Sequence, residues 1–245
     1  MRVSRIYLPI DHKSLSDTWV IEQPKAHYIR NVLRLKPGHI LQFFTASGRQ
    51  YNAVIDTVNK HNVVIKDIAA CQDVLPKSSL RLTLIQGISA SDRMDYSIQK
   101  AAELGCLSIQ PVTTEFCSQR IADHKYTKKQ QHWQGVSISA CEQSGRSDVM
   151  PIEPIKTLSE VVSNTPSGIY LEPTADHFIH DLPNDLQQQC HVFIGPEGGF
   201  SPMELKQFEQ RNFCGIKMGQ RVLRTETMAP VFLSAMHTLY GDFKP

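Results

Sequence analysis

HVFIGPEGGFSPMELKQF, residues 191–208, sets a short apolar strand, HVFIG (191–195), ahead of a run with three glycines in five positions. Past the glycines, Ser201 is suited to cap a helix, Pro202 to take its first position and Glu204 to complete a capping box. The stretch therefore reads as a strand, a bare loop and a helix start. In an α/β sheet that loop lies at the carboxyl end of the strands, where ligands bind. Neither phosphate motif fits it: Gly195, Gly198 and Gly199 have the wrong spacing for G-x-G-x-x-G, and no lysine follows for a P-loop. Glu197, inside the loop, would repel a polyphosphate. A nucleoside of neutral or positive charge suits such a site, and S-adenosylmethionine, with its sulfonium, meets that description. The plain alternative is a tight turn before a helix, with Glu197 solvated.

Around this stretch, strand and helix alternate. RLTLIQGI (81–88) reads as a buried strand, DRMDYSIQKAAELG (92–105) as a helix closed by Gly105, and LSIQPVTT (107–114) as the next strand. KKQQHWQGVSISACEQSG (128–145) reads as a helix and GIYLEP (168–173) as a strand. GIKMG (215–219) reads as a further strand leading into QRVLRTET, and MAPVFLSAMHTLYG (228–241) as a terminal helix, with Pro230 near its first turn. The pattern predicts a parallel α/β sheet with helices on both faces.

The first 72 residues have another rhythm: RIYLP (5–9), GHILQFFTAS (38–47), RQYNAVIDTVN (49–59) and NVVIKDIAA (62–70) read as short strands, spaced as in a small barrel. One helix is predicted at HYIRNVLRL (27–35), with Ile29, Val32 and Leu33 on one face. DVLPKSS (73–79) reads as a linker, so the expected domains are 1–72 and 80–245. Residues 1–72 hold ten Lys and Arg against five Asp and Glu, while the remainder holds sixteen against nineteen. A basic unit joined to a near-neutral one suits contact with a polyanion, or merely a solvated basic face.

The chain has 245 residues, 41% of them hydrophobic, enough for a proper core or two. No apolar run approaches the ~18 residues of a membrane span, and MRVSRIYLPIDHKS lacks the apolar segment of a signal peptide, so a cytoplasmic location is expected. The six cysteines form no CxxC pair and have no histidine at zinc-ligand spacing, so neither a disulfide framework nor a metal is expected.

Two motifs in order carry a resemblance over nearly the whole chain. GPEGGFS resembles the signature of the SPOUT methyltransferases. MGQRVLRTET (218–227) resembles the second signature of one branch, the bacterial small-subunit ribosomal RNA uridine-N3 methyltransferases of RsmE type. RIYLP, HYIRNVLRLKPG (27–38), IQKAAELG (98–105) and ACEQSGR (140–146) extend the likeness. The resemblance implies a PUA-like β-barrel that binds RNA, followed by an α/β domain tied in a deep trefoil knot. It also implies a homodimer whose active site is completed across the interface, and 16S rRNA, within the assembled small subunit, as substrate. There are departures: Phe116, in TEFCSQR (114–120), stands where many relatives carry a basic residue, and Met228-Ala229-Pro230 replaces a run of small residues.

By this resemblance S-adenosylmethionine is held by Leu171, Glu172 and Pro173, by Ile194, Gly195, Pro196, Glu197, Gly198 and Gly199, and by Met218, Gly219, Val222, Leu223, Thr225 and Ala229. Methylation of uracil N3 requires loss of the imide proton and stabilisation of charge on the flanking carbonyl oxygens. Arg224 is suited to the second task, or to a pair with Glu226 or a phosphate contact; Glu226 is suited to take the proton, or to tie down loop amides. Arg5, His27, Arg30 and Arg34 are candidates for RNA contact, with Tyr28 for stacking; Arg30 and Arg34, four apart, are expected on one helical face. Glu142 and Arg146 read as a helix-face ion pair, or as dimer or substrate contacts. The rivals are an RNA-binding protein without chemistry, a nucleotide-dependent enzyme of small metabolites, and an RNA methyltransferase acting on another base.

Overall fold

A computed structural model describes residues 3–11, 13, 15–117 and 121–243; the last three residues of TEFCSQR fall outside them. The chain divides into two compact units, Met1–Pro76 with Cys141–Val149, and Lys77–Ala140 with Met150–Pro245.

The first unit is built on a five-stranded sheet of order β1-β3-β4-β5-β2, from β1 (Ser4–Leu8), β2 (Thr18–Ile21), β3 (Ile40–Thr45), β4 (Gln50–Val58) and β5 (Val63–Ala70). Period-two alternation puts Leu41, Phe43, Ala53, Ile55, Val63 and Ile65 into one core. β2, which sequence reading missed, is short, and its burial alternates only weakly. The single helix differs from expectation. α1 (Lys25–His27) passes into a π-helical turn over Tyr28–Val32, with the Leu33 N–H bonded to the Tyr28 carbonyl. The wider π turn breaks the α-helical i, i+3 coincidence, so Ile29 is buried while Val32 is 59% exposed. Arg34 lies beyond the helix, in the left-handed region at φ 54°, and so does not share a helical face with Arg30.

Cys141–Val149, which a linear division leaves in the second domain, packs with the first unit. Buried Glu142 accepts the Tyr7 N–H (2.7 Å) and pairs with Lys25, whereas Arg146 pairs with Asp148 at 3.0 Å. The two residues are therefore not partners of one another.

The second unit carries a seven-stranded sheet of order β10-β12-β9-β11-β6-β7-β8, with every pairing parallel. Its strands are β6 (Arg81–Gly87), β7 (Ser108–Thr113), β8 (Lys156–Thr157), β9 (Ile169–Leu171), β10 (His177–Phe178), β11 (Gln189–Ile194) and β12 (Cys214–Lys217). Between them run α2 (Ser91–Glu103), α3 (Tyr126–Ser144), α4 (Leu158–Asn164) and α5 (Pro202–Gln210), with α6 (Thr225–Tyr240) last. Central strands flanked on both sides read as continuous apolar runs, and Leu84, Ile85, Val192 and Phe193 are all fully buried. α5 starts as its capping box dictates: Ser201 Oγ accepts the Glu204 N–H, and Glu204 Oε2 accepts the Ser201 N–H at 2.8 Å. α6 begins three residues earlier than expected, so Pro230 sits inside the helix. The cost is limited: lacking an N–H, Pro230 leaves the Glu226 carbonyl without its intrahelical donor one turn from the helix start.

Candidate active site

The carboxyl ends of β9 and β11 and the segment following β12 converge on one edge of the parallel sheet. There they enclose a cavity of about 550 Å³. Its walls are Leu171–Pro173 after β9, Ile194–Phe200 after β11, and Val222–Thr225 with Met228 at the start of α6; Arg93 from α2 completes them. Of the residues expected to hold a nucleoside, Met218, Gly219 and Ala229 do not line it. Gly219 turns the chain at φ 87°, and Ala229 is fully buried in α6.

Gly199 is set by its left-handed backbone, at φ 70°, and Gly198 by lack of space. A Cβ on Gly198 would stand 2.7 Å from the Phe116 Cβ, so the loop following β7 covers the glycine loop with no room for a side chain. That cover is itself fixed, because Glu204 Oε1 accepts the Glu115 N–H at 2.9 Å. One buried carboxylate thus caps α5 and pins the neighbouring loop.

Glu197 is exposed but not left to solvent alone. Its Oε1 accepts the Ala90 N–H (2.9 Å) and pairs with Arg93 Nη1 (3.0 Å). Ala90 is the N-cap of α2 and the third helical residue is Arg93, so Glu197 supplies from another segment the carboxylate that a capping box would set on the Ala90 N–H, at the positive end of the helix. A second tie lies below the cavity floor: Gln86 Nε2 donates to Thr225 Oγ1 (3.1 Å), which donates to the Gly195 carbonyl (2.7 Å).

Arg224 is the N-cap residue of α6, its side chain 78% exposed at the cavity wall. Glu226 lies in the first turn of α6, with Oε1 4.0 Å from Arg224 Nη1 and 3.9 Å from Arg93 Nε. Its Oε2 is buried without a hydrogen-bond partner. No loop amide is tied by Glu226 among the described residues.

Of the candidate RNA contacts, Arg5 is committed elsewhere. Its guanidinium bonds the Cys141 carbonyl (2.8 Å) and Gln50 Oε1 (2.9 Å) and packs 4.3 Å from the Phe44 ring centroid, so it holds the first unit together. Burial pushes its pKa down. Arg30 Nη1 bonds the Lys60 carbonyl at 2.8 Å, while His27 and Arg34 are exposed. Sequence reading missed Arg93 and Gln86 as site residues, and singled out Phe116 only as a motif departure without its packing on Gly198. A usable signal existed for Arg93, because a helix that follows a parallel strand starts at the edge where ligands sit.

No group of three or more His, Cys, Asp or Glu that could hold a metal occurs among the described residues, and no helix there is long and apolar enough to cross a membrane.

A parallel sheet with a nucleoside-sized cavity at its carboxyl edge, in a chain that also carries a separate β unit, defines a class, and comparison with known proteins agrees. The RNA methyltransferase domain model matches residues 76–237, and the RNA methyltransferase PUA domain model matches residues 21–68. The ribosomal RNA small subunit methyltransferase E of Buchnera aphidicola from Schizaphis graminum is 32% identical over 245 residues, 98% of either chain. The enzyme of that name from Neisseria gonorrhoeae, solved bound to S-adenosyl methionine, superposes with a TM-score of 0.91 at 33% identity, covering 99% of this chain and 100% of the other. A Legionella pneumophila protein assigned as a methyltransferase, solved with SAM, gives 0.92 at 33% identity over the same shares. The chain is an RNA methyltransferase by domain content. It belongs to the ribosomal RNA small subunit methyltransferase E family.

Proposed function

We propose that this protein transfers a methyl group from S-adenosylmethionine to N3 of a specific uridine in 16S rRNA. The observation that carries the cofactor assignment is the cavity itself. Its volume of about 550 Å³ suits a nucleoside, its glycine loop offers backbone rather than side chains, and no lysine lines it to serve a polyphosphate. Leu171 and Leu223 would flank the base, the backbone of Ile194–Gly199 would bond polar edges, and Glu172 would face the cationic end. When bound, S-adenosylmethionine supplies an electrophilic methyl on a sulfonium, which departs as a neutral thioether.

The residues of this chain then have three tasks. The cavity walls align donor and acceptor, which is where most of the rate acceleration in such a transfer arises. Glu226 takes the N3 proton, and Arg224 stabilises the negative charge that grows on a carbonyl oxygen of the base. The exposed side chains of His27 and Arg34, with Arg30, offer contact to RNA phosphates from the first unit, whose sheet we read as an RNA-binding PUA-like barrel. Arg5 drops out of that set because its donors are used inside the unit.

A deep trefoil knot belongs to the same reading. It is supported by the strand order, in which β12, last in sequence, is an interior strand between β10 and β9. A homodimer is supported by the exposed apolar side chains of Tyr96 on α2 and Val231 and Leu239 on α6. A cytoplasmic site of action is supported by six free cysteines, and 16S rRNA within the assembled subunit belongs to the same reading as its substrate. Mass-spectrometric mapping of 16S rRNA from cells lacking the protein, with and without complementation, tests the proposal. Loss and return of one N3-methyluridine is expected, and an unchanged methylation map would refute it.

A further inference from the structure

Glu226 sits between two guanidinium groups that line the cavity. Arg93 Nε and Arg224 Nη1 lie 3.9 Å and 4.0 Å from the same oxygen, Oε1. Both distances exceed a hydrogen bond, so the attraction is coulombic and neither arginine commits an N–H to this carboxylate. Arg93 uses Nη1 on Glu197, which leaves the rest of its five-donor fork for other acceptors. Glu226 holds no hydrogen bond among the described residues, and its buried Oε2 is unpartnered. A carboxylate left this short of donors is costly unless something else completes it. Arg93 and Arg224 line the cavity, and Glu226, set behind that lining, brings Oε1 within 4.0 Å of both, so the three groups together offer donor, acceptor and donor.

Of the four RNA bases, only uracil has the complementary Watson–Crick edge. O4, N3–H and O2 read acceptor, donor, acceptor. Cytosine reads donor, acceptor, acceptor; guanine reads acceptor, donor, donor; adenine offers one donor and one acceptor. A site that hydrogen-bonds each position rejects a base whose groups would be left unpaired or opposed.

We propose that Arg93, Glu226 and Arg224 form an edge reader that selects uracil, with Arg93 as a second arginine on the imide. The proposal rests on the functional reading above and adds Arg93 and the basis of base selection to it. In the transfer, the N3–H bond breaks and the proton passes to the Glu226 carboxylate. The electron pair on N3 forms the bond to the methyl carbon as the carbon–sulfur bond breaks, its pair staying on sulfur. Negative charge developing on O2 and O4 meets one guanidinium each. Glu226 then releases its proton to solvent.

The test uses the full-length protein in single-turnover methylation of small subunits purified from cells lacking it, at saturating S-adenosylmethionine. Arg93→Ala is expected to slow transfer about a hundredfold, the loss typical of one donor to a developing oxyanion. Its rate should continue to rise with pH where the wild-type rate has levelled, because an imide ionised by the medium needs the cation less. Arg93→Lys, which keeps the charge beside Glu197 but not the fork, should recover part of the rate. Subunits carrying cytidine at the mapped position should remain unmethylated by the wild-type protein, and this arm decides if Arg93→Ala fails to fold. A wild-type rate in Arg93→Ala, a defect that disappears at higher cofactor concentration, or methylation of the cytidine would each overturn the edge reader. If instead the wild-type protein marks a base other than uridine, or transfers no methyl at all, the functional reading itself fails, whatever Arg93 does.

Discussion

Thr225 Oγ1 donates a 2.7 Å hydrogen bond to the carbonyl of Gly195, and through it the start of α6 is fastened to the glycine loop after β11. Gln86, buried in β6, donates to the same hydroxyl. One hydroxyl thus joins three segments that are far apart in sequence, and the cavity keeps its shape only while they stay together. Thr225→Val conserves volume but takes the hydroxyl donor from the Gly195 carbonyl and leaves the Gln86 amide only its bond to the Gly87 carbonyl, at a cost of ~1–3 kcal/mol. Chemical denaturation should show a lower midpoint with an unchanged slope, accompanied by weaker S-adenosylmethionine binding. A wild-type midpoint would mean that the tie carries no weight.

Gly198 has no room for a methyl group, since its Cβ would meet that of Phe116 at 2.7 Å. Gly198→Val should displace either the glycine loop or its cover and weaken cofactor binding by calorimetry about tenfold or more, because overpacking costs typically ~1–3 kcal/mol. Adding Phe116→Gly, which removes the opposing Cβ, should restore part of the affinity. If the double variant binds no better than the single one, Phe116 is not the obstacle.

Arg224 is 78% exposed, so its removal should barely touch the fold. Arg224→Ala should keep its melting behaviour, with stability within about 0.5 kcal/mol, and should bind S-adenosylmethionine nearly as tightly as the wild type. Methyl transfer, by contrast, should fall about a hundredfold if the guanidinium serves the developing oxyanion. Unchanged turnover would end that role.

His191 lies half-buried in β11, directly ahead of the glycine loop, and burial lowers its pKa from the ordinary 6.5, opposed only in part by a hydrogen bond with the Ser167 backbone. The unfolded chain therefore binds this proton more readily than the folded one. The resulting stability is fully present above pH 6.5 and is lost as pH falls through the lower folded value. Thermal melting between neutral and mildly acidic pH should fall more steeply for the wild type than for His191→Gln. Parallel curves would remove His191 from the acid response.

Much of the second unit was legible because its signals are local and mutually consistent. The apolar run of β11, the capping box of Ser201 and Glu204 and the glycine at 105 each dictate one feature, and each appears where expected. The first unit was less legible at its helix. A π turn has no sequence period of its own, so an α-helical reading put Val32 inward and Arg34 on the helix, and both are outside. α6 extended to Thr225 because the RTET segment was read as loop, although Thr and Glu suit a first turn, and this moved Pro230 into the helix.

Cavity walls built from contiguous loop residues could be found from motifs, as Leu171 and Gly198 were. The contacts of Arg93 and Phe116 could not, because one enters from α2 and the other from the loop after β7, and only the assembled sheet brings them to the glycine loop. The role of Glu197 was hidden for the same reason: its partners Ala90 and Arg93 lie more than a hundred positions away in sequence.

The most direct measurement is a crystal structure of the protein with S-adenosylhomocysteine, the demethylated product. The account predicts density for that nucleoside against Leu171–Pro173, the glycine loop and Val222–Thr225, with its sulfur directed toward Arg224 and Glu226. Density at another place on the molecule, or none at a saturating concentration, would contradict it.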